Sequence, residues 1–399
     1  MRPALNRRLF SVAFALALPL WALFAQAQEV RVDIVASNLQ NPWALAFLPD
    51  GRFLVTERAG RVRLLAADGK AVAVVAGLPQ IEAGGQGGLL DLITDSDFAR
   101  NRMVYFCYSE PAATGRTNST ALASARLSID GNRLEDLKVI FSQKPKVASS
   151  AHFGCRIVEG RLPGVGGLPD GKLFLTLGDR FSRKDDAQKL DNHHGKIVRI
   201  NKDGSVPADN PFAGKAGALP EIWSYGHRNV QGATLAPDST LWTHEHGPQG
   251  GDEINLPRPG VNYGWPEITY GENYGGGPVG QGLSSKAGME QPLHYWVPSI
   301  APSGMAFLTS ERYGNAWQGN LFAGSLKFSY LNRIELARPF NGKVVREYKL
   351  LAGASERIRD VRQGPDGLLY VLTDSSNGKL IRLLPGKAGR QPERQGSKD

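Results

Sequence analysis

The chain reads as an all-β protein, a six-bladed β-propeller whose blades are four-stranded antiparallel sheets. Three observations predict this. First, a strand–turn–strand phrase recurs, as FLPDGRFLVTERAGRVRLL (47–65), GLPDGKLFLTLGD (167–179), LAPDSTLWTHEHG (235–247) and GPDGLLYVLTDSSNGKLIRL (364–383), with a weaker copy in GNLFAGSLKFSYLNRIEL (319–336). In each, Asp-Gly or a close relative makes a tight turn, and short β-rich apolar runs follow. Second, long amphipathic helical patterns are absent. Third, no Pro/Ser-rich linker divides the 399 residues, so one repeat-built domain fits the length better than two or three separate ones.

Taken in order, blade centres fall near 50, 105, 175, 240, 320 and 370. The run MVYFCYS (103–109) supplies the second, and the wider gaps hold insertions or copies too degenerate to read. The N-terminal segment EVRVDIVA (29–36) is expected to complete the last blade. That closure removes two open sheet edges. A pair of β-sandwiches is the alternative, and the repeated PDG phrase argues against it. Propeller loops converge at one end of the channel and carry function there. Insertions at 158–167, 180–195 and 268–292 are expected to mark that end.

Residues 1–27 read as a cleavable signal peptide. Arg2, Arg7 and Arg8 form the basic region, Leu9 to Phe24 is apolar but broken by Pro19, and Ala25-Gln26-Ala27 is a small-x-small cleavage site. The apolar run falls short of the ~20 residues that span a bilayer, so no stable membrane insertion is expected. The mature chain is expected in the periplasm, exported by the general or the twin-arginine route. The propeller is expected over 28–385, followed by a disordered polar tail, 386–399. The leader holds three Arg and no acid, so the formal charge of +9 becomes +6 on its removal. No Lys/Arg stripe is interleaved with aromatics, so no nucleic-acid partner is expected. The two cysteines, Cys107 and Cys155, read as buried thiols, although export permits a disulfide.

The chemistry concentrates between Glu221 and Pro266. This stretch sets Arg228 beside Asn229, then a turn of His246, Gly247 and Pro248, then the acids Asp252 and Glu253, then Asn262-Tyr263-Gly264-Trp265. Cationic donors, turn carbonyls and carboxylates so close together suit an anionic organic ligand bridged by a hard metal ion. Calcium accepts such oxygen ligands, backbone carbonyls included. His244 and His246 alternate and share a strand face, but zinc needs three or more aligned ligands. His193-His194 reads as a polar loop element. The Gly164–Gly167 run lacks a βαβ context, so a bound dinucleotide is disfavoured.

Seven motifs occur in order: GGQGGLLDL (84–92), HFGCRI (152–157), GHRNVQG (226–232), EHGPQGGDEIN (245–255), NYGWP (262–266), GSLK (324–327) and ERIRDVRQGPDG (356–367). On these the chain resembles the soluble PQQ-dependent sugar dehydrogenases, in particular the bacterial aldose sugar dehydrogenase branch, from about Val30 to Leu384. The resemblance itself implies six blades. It also implies oxidation of the C1 hydroxyl of a small-molecule aldose to a lactone, with hydride transfer to calcium-bound PQQ. An external quinone or cytochrome would then take the electrons. His152 is the implied general base, since neutral imidazole titrates near the working range. In relatives an acidic residue directly precedes the base. Here that position is Ala151, so Asp179 is the substitute orienter.

The implied cofactor residues are Gln86, Arg228, Asn229, Tyr274, Lys327, Arg357 and Arg359. Gln86 lies in a glycine-rich turn, and Arg357 and Arg359 flank Ile358 and share one strand face. Arg228 is also expected to stabilise the oxyanion that develops on the quinone. The carbonyls of Gly247 and Pro248 are the implied ligands of one calcium ion, and Glu253 with the Tyr263 carbonyl those of a second. Two other classes remain open on sequence: a calcium-dependent propeller lactonase or hydrolase, and a non-catalytic glycan-binding propeller. The cluster of Lys327, Arg357 and Arg359 is hard to explain in the first, because a neutral lactone has no use for three carboxylate clamps, and the second predicts no need for His152 or calcium.

Overall fold

A computed structural model of the chain describes residues 30–164, 167–338, 342–353 and 355–386. The signal peptide and all of the tail after Gly386 lie outside the described residues. Six four-stranded antiparallel sheets form a closed ring. Their innermost strands, Pro42–Phe47, Leu89–Thr94, Ile157–Arg161, Val230–Leu235, Pro302–Phe307 and Ile358–Gln363, pack side by side around a central channel. The only helical segments among the described residues are the short turns Phe98–Asn101 and Lys184–Gln188.

The recurring phrase builds the first turn of the first, fourth and sixth blades, and in the third it opens the second strand, Pro169–Thr176. The Asp side chain accepts the backbone N–H two residues on, from Arg52, Lys172, Thr240 and Leu368 in the four clear copies. The residue between is left-handed: Gly51, Gly171 and Gly367, with Ser239 in the third copy. An Asx turn of this kind reverses the chain tightly enough to lay the second strand on the first. Ring closure is as expected but longer. Val30–Leu39, not a strand ending at Ala36, pairs with Gly378–Pro385, from Val30 opposite Pro385 to Leu39 opposite Gly378. The outermost strand of the sixth blade therefore comes from the start of the chain.

Apolar clusters fill the gaps between blades. Leu45, Phe53, Phe322, Val361 and Leu372 belong to the one that joins the fifth, sixth and first blades. Each such side chain contributes about 1.5–3 kcal/mol on full burial.

The channel itself is plugged. Arg156 Nη1 lies 3.0 Å from Asp360 Oδ1, Arg362 Nη2 lies 2.6 Å from Asp91 Oδ1, and the Arg156 guanidinium lies 4.0 Å from the centre of the Trp43 ring. Removing one member would strand a buried charge, at a cost of about 3–5 kcal/mol. This plug separates two cavities at opposite ends of the channel.

One expectation is corrected. Cys107 and Cys155 form a disulfide, with Cα atoms 5.8 Å apart. Cys107 lies in the second strand of the second blade, and Cys155 lies where the chain enters the third. The bond crosses a blade boundary that sequence spacing does not reveal.

Candidate functional site

The cavity at one channel mouth has a volume of about 790 Å³. It gathers Gln86, Asn229, Lys327, Arg357 and Arg359 in one wall, as expected, and adds Asn41, Trp43, Arg58 and Asp374, which the sequence did not single out. Four cationic side chains thus face a single carboxylate. Asp374 is shared: its Oδ2 lies 2.7 Å from Arg359 Nη2 and 3.3 Å from Arg357 Nη2. Burial pushes the Asp374 carboxyl up, but the two arginines bring it below its ordinary value, so it stays ionised. Arg58 donates to the Gly85 carbonyl at 2.5 Å and so ties the cavity edge to the turn that bears Gln86. Gln86 Oε1 accepts the backbone N–H of His152 at 2.8 Å, which makes Gln86 a brace for the His152 segment as well as a wall residue.

His152 is buried and directly precedes Phe153 and Gly154, which line the cavity. Its Nδ1 lies 2.6 Å from Asp179 Oδ1. The tautomer assigned from that bond carries its proton on Nδ1 and leaves the Nε2 lone pair free. Asp179 is itself fixed: Trp265 Nε1 donates to Oδ2 at 2.8 Å, and the Phe181 N–H donates to Oδ1 at 2.8 Å. Burial lowers the His152 pKa and outweighs the opposing pull of Asp179, so the imidazole is neutral at neutral pH. The turn needs its neighbours to be small. A Cβ at Gly178 would fall 2.1 Å from the His152 carbonyl, so Gly178 lets the two segments touch.

Arg228 is buried beside this pair. It donates to the carbonyls of His246 (3.1 Å) and Gly247 (2.8 Å) and to the Tyr274 hydroxyl (3.3 Å). Tyr274 therefore sits on the exposed rim and not in the cavity wall. The Gly247 carbonyl, expected to be bare, already receives Arg228. Among the described residues, the Nε atoms of Arg228 and Arg359 are buried without a hydrogen-bond partner.

The acidic pair separates. Asp252 braces the turn, accepting from the N–H groups of Gly247, Ile300 and Ala301 and from Ser299. Glu253 instead lines a crevice of about 10 Å³ with Glu245, Gly247 and Tyr263. Burial, and then the neighbouring Glu245, push the Glu253 carboxyl well above the usual range. Asn255 Nδ2 bridges the two acids, at 3.1 and 3.2 Å. Glu245 was missed by sequence reasoning because it reads as an inward strand residue of WTHEHG. The histidines do not converge: His244 Nε2 meets the Gly304 carbonyl, His246 Nε2 the Pro302 carbonyl, and His227 lies between Ser224 and Glu245. Among the described residues, no three His, Cys, Asp or Glu side chains gather as a metal centre.

A family model described as glucose/sorbosone dehydrogenase matches residues 39–382. The chain belongs to this family. As a member it is an oxidoreductase that acts on sugar donors. It is 44% identical to the aldose sugar dehydrogenase YliI of Escherichia coli over 369 residues, 91% of this chain and 95% of that one. Among solved structures, the soluble aldose sugar dehydrogenase of E. coli in its apo-form superposes with a TM-score of 0.83 at 42% identity, covering 89% of this chain and 99% of that one. The PQQ-bound form of an aldose sugar dehydrogenase from Streptomyces coelicolor gives 0.70 at 26% identity, covering 89% and 99%.

Proposed function

We propose that the chain oxidises the C1 hydroxyl of aldose sugars to lactones, with PQQ in the cation-lined cavity, calcium beside it and His152 as general base. The observation that carries this reading is a buried, neutral His152 held by the Asp179 carboxylate beside a cavity of four cations and one acid. PQQ has three carboxylates. Arg58, Lys327, Arg357 and Arg359, with the unpartnered Nε of Arg359, match that demand. A neutral lactone or glycan would leave these cations without work.

When bound, PQQ supplies an ortho-quinone that receives the C1 hydride, and calcium supplies the Lewis acid that polarises it. The chain's own residues do the rest. His152 Nε2 takes the hydroxyl proton, and Asp179 stabilises the imidazolium that forms. Trp265 and the Phe181 N–H keep Asp179 oriented. Arg228, held by two turn carbonyls, keeps a fixed positive charge beside the reacting groups. Gln86 and Asn229 offer amide contacts to the cofactor, and Tyr274 covers its outer edge. Carbonyls of Gly247 and Pro248 would hold the calcium that polarises it. Glu253 and the Tyr263 carbonyl, with Glu245, would hold a structural calcium, which answers the charge crowding in the crevice. Such an ion would add a backbone carbonyl to two carboxylates, so a triad of side chains would not be required.

The enzyme is expected to work in the periplasm and to pass electrons to a quinone or cytochrome. Among the described residues no helix is long and apolar enough to cross a membrane. Dye-linked oxidation of glucose by the purified chain tests the proposal. Activity should appear only when PQQ and calcium are both present. Absence of any quinone binding would overturn it.

A further inference from the structure

Resting on that reading, we infer that Phe181, with Tyr274, forms an aromatic wall that receives the C–H face of the sugar ring beside the base. Phe181 is 54% exposed and Tyr274 63% exposed, yet both are fixed in place. The Phe181 ring meets the His152 ring edge-on, with centroids 5.3 Å apart. Its own N–H is held by the same Asp179 oxygen that orients His152. The Tyr274 hydroxyl is held by Arg228.

The backbone forces Phe181 outward. Arg180 and Phe181 are consecutive left-handed residues, at φ 59° and 63°. Side chains other than Gly, Asn and Asp rarely adopt this conformation, and it persists where surrounding contacts impose it. Arg180 supplies such contacts by turning inward. Its guanidinium stacks 3.7 Å from the centre of the Phe153 ring and bonds Asn118 and the carbonyls of Ser149 and Ala151. The result is a large apolar ring displayed to solvent beside a general base, in a conformation that opposes it. Core packing does not explain that arrangement.

Geometry selects the ligand. The Phe181 and Tyr274 rings are nearly parallel, at 28°, with centroids 6.4 Å apart. A flat molecule between two rings needs roughly 7–8 Å, two contacts of about 3.5–4 Å each. At that spacing no flat molecule fits between the two stacked rings, so a sugar would meet the outer side of the pair. Phe181 touches the His152 ring, so a pyranose at His152 lies next to Phe181. Its axial C–H bonds then meet the electron-rich aromatic face. This wall gives affinity for pyranoses as a class without reading distal hydroxyls one by one.

The test compares the PQQ- and calcium-loaded wild type with F181A, F181L and F181W. F181A should raise KM for glucose about tenfold and leave kcat, its pH profile, PQQ affinity and KM for a phenazine dye acceptor unchanged. F181L should resemble F181A, because it keeps apolar bulk without a π face, and F181W should resemble wild type. Saturation-transfer NMR with 1,5-anhydroglucitol, which lacks the anomeric hydroxyl, should show contact with aromatic protons in wild type and lose it in F181A. An unchanged sugar KM with unchanged anhydroglucitol contact would overturn the inference, as would a change in the dye KM alone, which would make the wall a docking face for the electron acceptor. If the loaded wild type oxidises no aldose, the proposed reaction fails, and anhydroglucitol binding still decides the role of Phe181.

Discussion

The two mouths of the channel are made by the same six inner strands, yet they differ in the balance of charge and apolar lining. One is lined by Arg58, Lys327, Arg357 and Arg359 with amides from Asn41, Gln86 and Asn229. The other, about 470 Å³, is lined mainly by Leu45, Phe47, Ile93, Leu235, Met305, Phe307 and neighbours, with few charges. The first lies where the inner strands begin, and the second where they end. At the ending side Asx turns reverse the first, fourth and sixth blades, and the longer segments 95–102, 162–168 and 308–320 reverse the others. The insertion 158–167, expected to mark the functional end, follows an inner strand and lies on this side instead. At the beginning side the chain arrives through the connections between blades, which range from 226–229 to 143–156. Gln86, His152, Arg228 and Arg357 lie on those connections. Asp179, Gly247 and Lys327 lie on the loops between second and third strands of their blades. Site chemistry is thus gathered on the side where the inner strands begin, and the buried Arg156–Asp360 plug keeps the two mouths apart.

The sharpest way to break this contrast is His152→Ala. Turnover should fall about a thousandfold while PQQ binding, measured separately, stays near wild type. Substantial activity in this variant would remove the base from its role. Asp179→Asn should lower kcat about a hundredfold, and it carries a pH signature. As the proposed base, His152 would work in its neutral form, so activity should be lost as pH falls through its pKa. Burial sets that pKa below the ordinary histidine value, and Asp179 opposes the shift. Loss of the carboxylate charge should therefore move the acid limb of the kcat/KM profile to lower pH. A shift to higher pH would contradict the assigned dyad. At the opposite mouth, Arg161→Ala should leave kcat, KM and PQQ affinity within about twofold, as surface changes usually do. A large effect there would mean that the second cavity takes part.

The difference between mouths also explains what the sequence made legible. Three PDG phrases and one PDS are local signals, because an Asp accepting from the residue two ahead needs no tertiary contact, and they disclosed the blades. Ordered motifs brought His152, Lys327, Arg357 and Arg359 forward as candidates, and the missing acid at Ala151 brought Asp179, which the structure places against His152. The unread residues are those whose meaning depends on ring closure. Asp374 matters because it lies under Arg357 and Arg359, and Arg58 because it meets Gly85 from another blade. Trp265 reaches Asp179 across 86 residues of sequence. Cys107 and Cys155 meet across a blade boundary. No period or spacing encodes such encounters. Phe181 was passed over for the opposite reason, since an exposed aromatic in a loop is unremarkable until its neighbours are known.

The most direct test of the central claim, that the cationic mouth is built to hold an anionic quinone, is a PQQ titration followed by quenching of tryptophan fluorescence. Wild type should bind one equivalent, with Trp43 in the same cavity as reporter, and affinity should weaken at high salt. The double variant R357A/R359A should lose about a hundredfold or more in affinity. Binding that is unchanged in the double variant and indifferent to salt would contradict the account.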